Sequence, residues 1–170
     1  VKLYIVEVKD TSRGPRVTIS RTHKDLVKRL FEYEVTEVSE GIVEIMSISR
    51  EPGSRTKIAV RSNDPDVDPV GACVGKNGER VNAVVEELRG EKIDIIKWSD
   101  DPAVLIENAL SPSKVVSVEV DEEEKTASII VPDYQLSLAI GKDGQNARLA
   151  ARLTGYKIDI RSESQAAGEA

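Results

Sequence analysis

The sequence predicts an α+β chain made of two copies of one unit, each running helix-strand-strand-helix-helix-strand. Three observations support this. The stretch Ala72-Cys73-Val74-Gly75-Lys76-Asn77-Gly78 returns 66 residues later as Leu138-Ala139-Ile140-Gly141-Lys142-Asp143-Gly144. Gly90-Glu91-Lys92-Ile93-Asp94-Ile95 returns as Gly155-Tyr156-Lys157-Ile158-Asp159-Ile160 at an offset of 65, so one residue is lost between the blocks. Around both pairs, alternating β-branched runs and helically spaced apolar residues follow in the same order. A match in two blocks marks a duplicated unit rather than coincidental glycine turns.

In the first unit, Leu26, Val27 and Leu30 fall at helical spacing within Thr22–Tyr33, and the Thr22 hydroxyl is placed to cap the start. Ile42–Ser49 and Arg55–Arg61 alternate in polarity and flank Glu51-Pro52-Gly53-Ser54, whose turn chemistry makes them a hairpin. Asp68-Pro69 supplies a cap and a proline at the first helical position, opening a short helix Val70–Val74. Beyond Gly75–Gly78, an apolar stripe of Val81, Val84, Val85 and Leu88 stops at Gly90. Ile93–Trp98 is the closing strand. The second unit repeats the order: helix Pro102–Leu110, strands Val115–Val120 and Thr126–Val131, a short helix, Gly141–Gly144, a helix to Leu153 stopped by Gly155, and strand Lys157–Ile160.

The 170 residues leave room for two small domains. Hydrophobic residues make up 39% and charged residues 32%, which suits compact, highly charged units. The longest uncharged stretch, Tyr134–Gly141, is far too short to span a membrane, and no signal peptide is visible. The chain starts at Val1, as expected of a piece of a longer protein. One cysteine, Cys73, and one histidine, His23, exclude an internal disulfide and an ordinary structural zinc site. A reducing, cytoplasmic compartment is expected. The net charge of −6 argues against indiscriminate nucleic-acid binding, but the charge is segregated. Residues 99–125 carry −6, much of it in Asp121-Glu122-Glu123-Glu124, whereas residues 1–35 carry +3 and residues 132–161 carry +2.

The chemistry concentrates in the two Gly-x-x-Gly loops, Gly75-Lys76-Asn77-Gly78 and Gly141-Lys142-Asp143-Gly144. Each sits between two helices, where a sharp turn needs glycine and the next helix presents unpaired N–H donors that favour an anion. Lys76 and Lys142 add a mobile positive charge. A phosphate of an extended nucleic-acid strand suits such a site, with bases lying in a groove beside the last strand against Ile95 or Ile160. Arg80, Asn146 and Arg148 follow the loops and are either phosphate or base contacts or plain exposed helix residues. A tight helix-helix turn bearing an exposed lysine is the alternative for each loop.

Enzyme chemistry finds no support. A phosphate-binding loop of the Walker type is excluded because Gly71 to Gly75-Lys76 is one residue too short and Asn77 replaces the metal-binding hydroxyl. No G-x-G-x-x-G or G-x-S-x-G occurs. His23 reads as an exposed or capping residue, Cys73 as a small core residue. Asp121–Glu124 reads as a solvated hairpin turn, and Asp64, Asp66 and Asp68 as turn and cap residues.

These units resemble KH (K-homology) domains of the bacterial, type II topology, which place an extra helix and strand before a shared strand-helix-helix-strand core. More narrowly, Asp68-Pro69-Val70-Gly71-Ala72-Cys73-Val74-Gly75 and Leu88-Arg89-Gly90-Glu91-Lys92-Ile93-Asp94-Ile95 resemble the first KH domain of the NusA family, bacterial transcription elongation, termination and antitermination factors. Ala139-Ile140-Gly141-Lys142-Asp143-Gly144-Gln145-Asn146-Ala147-Arg148-Leu149-Ala150-Ala151-Arg152-Leu153-Thr154-Gly155 is similar to the second. Ser20-Arg21-Thr22-His23 resembles the exit from that family's OB-fold RNA-binding barrel. Its last hairpin would be Lys2–Val8 and Arg16–Ser20 around Ser12-Arg13-Gly14-Pro15.

The resemblance implies a barrel end at residues 1–21, KH domains at 22–98 and 99–161, and a flexible tail at 162–170. It also implies single-stranded RNA, a nascent transcript, as the ligand, clamped at about four nucleotides per loop. RNA polymerase and other Nus-type factors would be partners of the full-length protein. A monomer is expected, with no cofactor, no metal and no membrane partner. A KH module of a ribosome-associated protein or GTPase, or a module docking acidic faces onto basic proteins, are the other readings. Three departures from the family pattern stand out: only the last barrel strands are present, the Lys76-Asn77 loop is less basic than expected, and Tyr156 stands where tryptophan is common.

Overall fold

The computed structural model, which describes residues 1–169, has both units in the expected order. A hairpin comes first, β1 (Tyr4–Thr11) antiparallel to β2 (Gly14–Ser20). The first unit runs α1 (Lys24–Glu34), a one-turn α2 (Thr36–Ser39), β3 (Val43–Glu51), β4 (Arg55–Ser62), α3 (Pro69–Val74), α4 (Glu79–Glu87) and β5 (Lys92–Lys97). The second runs α5 (Pro102–Ala109), β6 (Ser117–Asp121), β7 (Thr126–Val131), α6 (Leu136–Ile140), α7 (Gln145–Thr154) and β8 (Lys157–Ser162), with α8 (Glu163–Gly168) after it. The two sheets have one topology, β3-β4-β5 and β6-β7-β8. The first pair in each is antiparallel and the second parallel, because the helix pair carries the chain back across the sheet.

Three local expectations change. His23, not Thr22, caps α1: its Nδ1 accepts from the Asp25 N–H at 3.0 Å, and its ring stacks on Tyr4 at 4.7 Å. The Ser20 hydroxyl accepts from the N–H groups of Thr22 and His23, which fixes the approach to the helix. The extra turn α2 was not anticipated; four residues carry too little periodicity to be read. Where a flexible tail was expected, residues 163–168 form a helix. Ser162 and Gln165 close a capping box at its start, and the Ser164 N–H donates to Asp133 Oδ1 at 3.0 Å, docking the helix on the second unit.

The first unit's core gathers Leu26, Val27, Leu30 and Phe31 of α1 with Ile58, Val60, Cys73 and Val84. Burial pushes the Cys73 thiol up to about 12, an inert core residue as its position suggested. The second core contains Ile106, Leu110, Ile129, Ala150 and Leu153, and it also takes in Ala59 and Ile96 from the first unit's sheet. Strand alternation explains this. Ile58 and Val60 point to the first core, while Lys57 and Ala59 point out of it, and β4 is buried from Thr56 to Val60. Helix α7 packs on β3 and β4, so helices of the second unit cover the outer face of the first sheet.

Polar groups lock that seam. Lys57, fully buried, donates through Nζ to Asp94 (2.9 Å) and to the Ser111 carbonyl (2.7 Å). Arg55 grips the same Asp94 with two hydrogen bonds of 2.8 Å. Burial raises the Asp94 carboxyl, but the Arg55 and Lys57 contacts outweigh it and hold the group below its ordinary value. At the hairpin end of β3, beside Arg55, Arg148 of α7 donates to both Glu51 oxygens at 2.7 and 2.8 Å, and Gln145 bonds Ser54 at 2.7 Å. The Ser47 hydroxyl donates to the Leu153 carbonyl at 2.8 Å.

Hydrogen bonding by Arg148, followed by Gln145, holds the Glu51 carboxyl down to about 2 from 4.5, against the opposing effect of burial. A depressed carboxyl stabilises the fold fully above its unfolded value and loses that contribution as pH falls toward the folded one. Glu51→Gln is therefore expected to cost about 1 kcal/mol near neutrality. The gap between parent and variant in urea melts should close between about pH 4.5 and about pH 2. A gap that stays constant over that range would place the stabilisation elsewhere.

Candidate nucleic-acid interface

The two Gly-x-x-Gly loops have one backbone. Gly75 has φ 78° and ψ 174°, and Gly141 has φ 80° and ψ 169°. Asn77 (57°, 27°) and Asp143 (55°, 26°) match, as do Gly78 (74°, 13°) and Gly144 (76°, 11°). The first glycine lies where only glycine is at ease, and a Cβ there would strike the following helix. It would lie 2.9 Å from the Arg80 backbone nitrogen in the first loop and 2.6 Å from that of Asn146 in the second. The second glycine is left-handed in both loops; a Cβ at Gly144 would meet only the Arg148 guanidinium at 3.9 Å, whereas one at Gly78 would lie 3.2 Å from the Asn82 side-chain amide nitrogen. The third loop residue is also left-handed, which Asn and Asp tolerate best. That explains why the first loop is less basic than expected: Asn77 meets a conformational demand.

Lys76 and Lys142 are exposed at the loop tips. The first N–H groups of each turn after the first glycine have no partner within the turn. Each loop thus presents backbone donors and one mobile cation.

The flanking candidates divide. Arg80 turns inward: its guanidinium bonds Glu37 and the Ala72 carbonyl (2.8 Å), bracing α4 against α2 and α3. Asn146 is buried, and its amide donates to the carbonyls of Ala139 (2.9 Å) and Leu110 (3.1 Å). Arg148 stays exposed but is held by Glu51 and the Asp143 carbonyl. These three act as braces in this structure. Ile95 and Ile160 are half-buried against their own cores; Ile95 also lines a cavity of about 550 Å³ beside the edge strand β5, walled on the far side by Ser111–Val115. A second cavity, about 340 Å³, lies against the second loop, bounded by Gly141, Lys142 and Leu138 on one side and Arg55 and Lys92 of the first unit on the other. Pro112 lines both cavities.

Sequence reading missed Glu51, Ser54 and Gln145 as the seam's polar lock, because a turn carboxylate and an exposed-looking glutamine give no periodic signal. No group of three metal-ligating side chains and no helix long and apolar enough to cross a membrane occurs among the described residues.

Two helix-strand-strand-helix-helix-strand units, each with a Gly-x-x-Gly turn between its paired helices, define a tandem type II KH protein. Residues 21–98 match the NusA-like first KH domain family, and residues 102–168 match the NusA-like second KH domain family. The chain belongs to the NusA family. It is 63% identical over 166 residues to a Bacillus subtilis protein named transcription termination/antitermination protein NusA, covering 98% of this chain and 45% of that protein. Proteins of the same name from Mycobacterium tuberculosis and Thermus thermophilus are 56% and 52% identical, covering 96% and 93% of this chain and 48% and 41% of theirs. The chain thus spans less than half the length of these relatives. The fold is also that of a solved protein, APE1850, at TM-score 0.59 and 22% identity over 81% of this chain and 97% of that one.

The loop geometry separates the two glycines energetically. Gly144→Ala should cost about 1 kcal/mol for the left-handed backbone alone. Gly141→Ala should cost about 3 kcal/mol or more, since strain there is joined by a backbone clash. Urea melts of the two variants check this, and equal costs would show that the close approach to Asn146 does not fix the loop.

Proposed function

We propose that this chain is the single-stranded RNA-binding platform of a bacterial transcription elongation, termination and antitermination factor, taking a nascent transcript. The observation that carries this reading is the pair of loops with matching backbones, each offering an exposed lysine and free N–H donors, on two units locked at a buried seam. Phosphates would sit on the loops and bases along the neighbouring grooves, at about four nucleotides per unit. Rigid coupling makes the second contact effectively intramolecular, so two weak clamps give useful affinity. The net charge of −6 disfavours random polyanions, while the loops accept a strand in the right place.

The names of the relatives favour this reading over a KH module of a ribosome-associated protein or GTPase. RNA polymerase and other Nus-type factors would be met through the longer protein, in the cytoplasm, with this chain acting as a monomer and without catalysis. The β1-β2 hairpin fits the end of an OB-type barrel: Ile5, Val8, Val17 and Ile19 are all more than half exposed, which suits strands that continue into a larger sheet.

Selection from a random RNA pool on the whole chain tests the reading. The parent should yield RNAs of about eight nucleotides. The log of affinity against the log of salt should have a slope near −3, from about four phosphate contacts at about −0.7 each. Lys76→Asp with Asn77→Asp, or Lys142→Asp alone, should weaken binding at least about tenfold with unchanged melting, because carboxylates repel phosphate at an exposed loop. Unchanged affinity in both variants would overturn the clamp. Salt-sensitive binding indifferent to both loops would support a charge-docking module instead.

A further inference from the structure

We infer that the second loop's phosphate site is built from both units: Lys92 of the first KH domain faces Lys142 across the seam cleft, and the two lysines take one RNA backbone phosphate between them. The inference rests on the RNA-binding reading above and adds to it which residues outside the loop complete the site.

The cleft of about 340 Å³ is bounded by Gly141 and Lys142 on the second-unit side and by Arg55 and Lys92 on the first-unit side. Arg55 and Lys92 are register partners in the parallel pair β4-β5. Alternation then puts Lys57 and Asp94, two residues further along each strand, on the same face. That face is the one turned toward the second unit, since Lys57 reaches the Ser111 carbonyl. At this end of the sheet it carries three cations, Arg55, Lys57 and Lys92, against two carboxylates, Asp94 and Glu51, the latter the register partner of Arg55 on β3. Arg55 and Lys57 both bond Asp94, so the excess positive charge is left at the exposed Lys92. Asp143, the other carboxylate near the loop, is exposed beside Lys142, and Glu51 is occupied by Arg148.

The internal repeat shows which part of this charge is particular to the first unit. In the second sheet the register partner of Lys157 is Thr126, where the first sheet has Arg55 opposite Lys92. Two residues on, Ser128 stands where Lys57 stands, and Asp159 pairs locally with Arg161. Lys157 keeps the position of Lys92 in the repeat, but the two further cations beside it, Arg55 and Lys57, occur only in the copy that abuts the other unit's loop. Packing alone does not call for Lys92, which is exposed and has no ion-pair partner among the described residues. Two lysines bracketing a cleft with free backbone donors on one wall suit a single phosphodiester better than a base, because Lys is a compact point charge with three donors and no stacking face.

The test uses the whole chain and the RNA selected above. Lys92→Gln should weaken binding roughly three- to tenfold and reduce the salt slope by about 0.7, with parental melting. Lys28→Gln, an exposed lysine on α1, is the control for the general field and should change neither quantity. Replacing RNA phosphates one at a time by methylphosphonate should then identify one position whose neutralisation no longer matters in Lys92→Gln and also in Lys142→Gln. Parental affinity in Lys92→Gln, equal losses in Lys92→Gln and Lys28→Gln, or different insensitive phosphates for the two lysines would each overturn the shared site. In those cases the loop variants would still fail to bind if the chain is an RNA platform. If the loop variants bind normally, the platform reading itself falls.

Discussion

The first sheet is buried on both faces, and much else in the molecule follows from that. A three-stranded sheet with helices on one side leaves its other side to solvent, and its central strand should then alternate apolar and polar. Strand β4 instead has no exposed residue from Thr56 to Val60, because α7 and its neighbours lie against it. Lys57 is the costly element of this arrangement. A fully buried ammonium is tolerated only with its hydrogen bonds satisfied, and Asp94 together with the Ser111 carbonyl supply them. Burial still pulls the Lys57 ammonium below its ordinary value despite Asp94. The same bond to Ser111 pins the segment that walls both seam cavities, so the core constraint and the candidate nucleic-acid surface share one atom pair.

Legibility in the sequence followed the range of the interaction. The hairpin of β3 and β4, the Asp68-Pro69 helix start and the stop at Gly155 were all readable, since each depends on residues a few positions apart, and the repeat was readable because those local patterns recur in order. The Asp121–Glu124 turn was readable too: the Asp121 side chain accepts from the Glu123 and Glu124 N–H groups at 3.1 Å. Contacts between units were not. Arg148 reads in sequence as a nucleic-acid contact or an exposed helix residue because its partner, Glu51, lies 97 positions away. The capping error at α1 has a different cause. Threonine is the commoner cap, but a neutral imidazole can also accept, and Tyr4 supplies the ring that holds His23 in place. The helix at 163–168 was hidden because its anchor, Asp133, sits in an irregular turn of the second unit.

The balance of charge makes sense only after folding. Along the chain, acidic residues collect around the linker and the second hairpin, and the net charge of −6 argues against indiscriminate nucleic-acid binding. In space, several carboxylates are engaged with arginines: Glu37 with Arg80, Glu51 with Arg148, Asp94 with Arg55, and Glu87 with Arg21. Those pairs remove arginines as well as carboxylates from the free surface. What remains at the loops is lysine, whose flexible, strongly hydrated head makes weak and reversible phosphate contacts. A platform of that kind gains selectivity from how its sites are spaced rather than from the strength of any one of them.

The duplication also shows how one loop can be carried in two different settings. Both copies need a donor from the residue five positions after the first glycine, reaching back toward the helix that precedes the loop. In the first unit that site is partly open, so Arg80 can serve and Glu37 can balance its charge. In the second unit it lies under α5 and is closed to solvent. An arginine there would require a buried carboxylate, whereas the neutral Asn146 needs only the Ala139 and Leu110 carbonyls. The exchange leaves Asn146 Oδ1 buried without a protein partner, a cost the arginine solution avoids. The backbone dihedrals of the two loops nonetheless agree to within a few degrees. The glycines and the left-handed third residue set the loop's shape, and the brace behind it is free to change with the unit's surroundings.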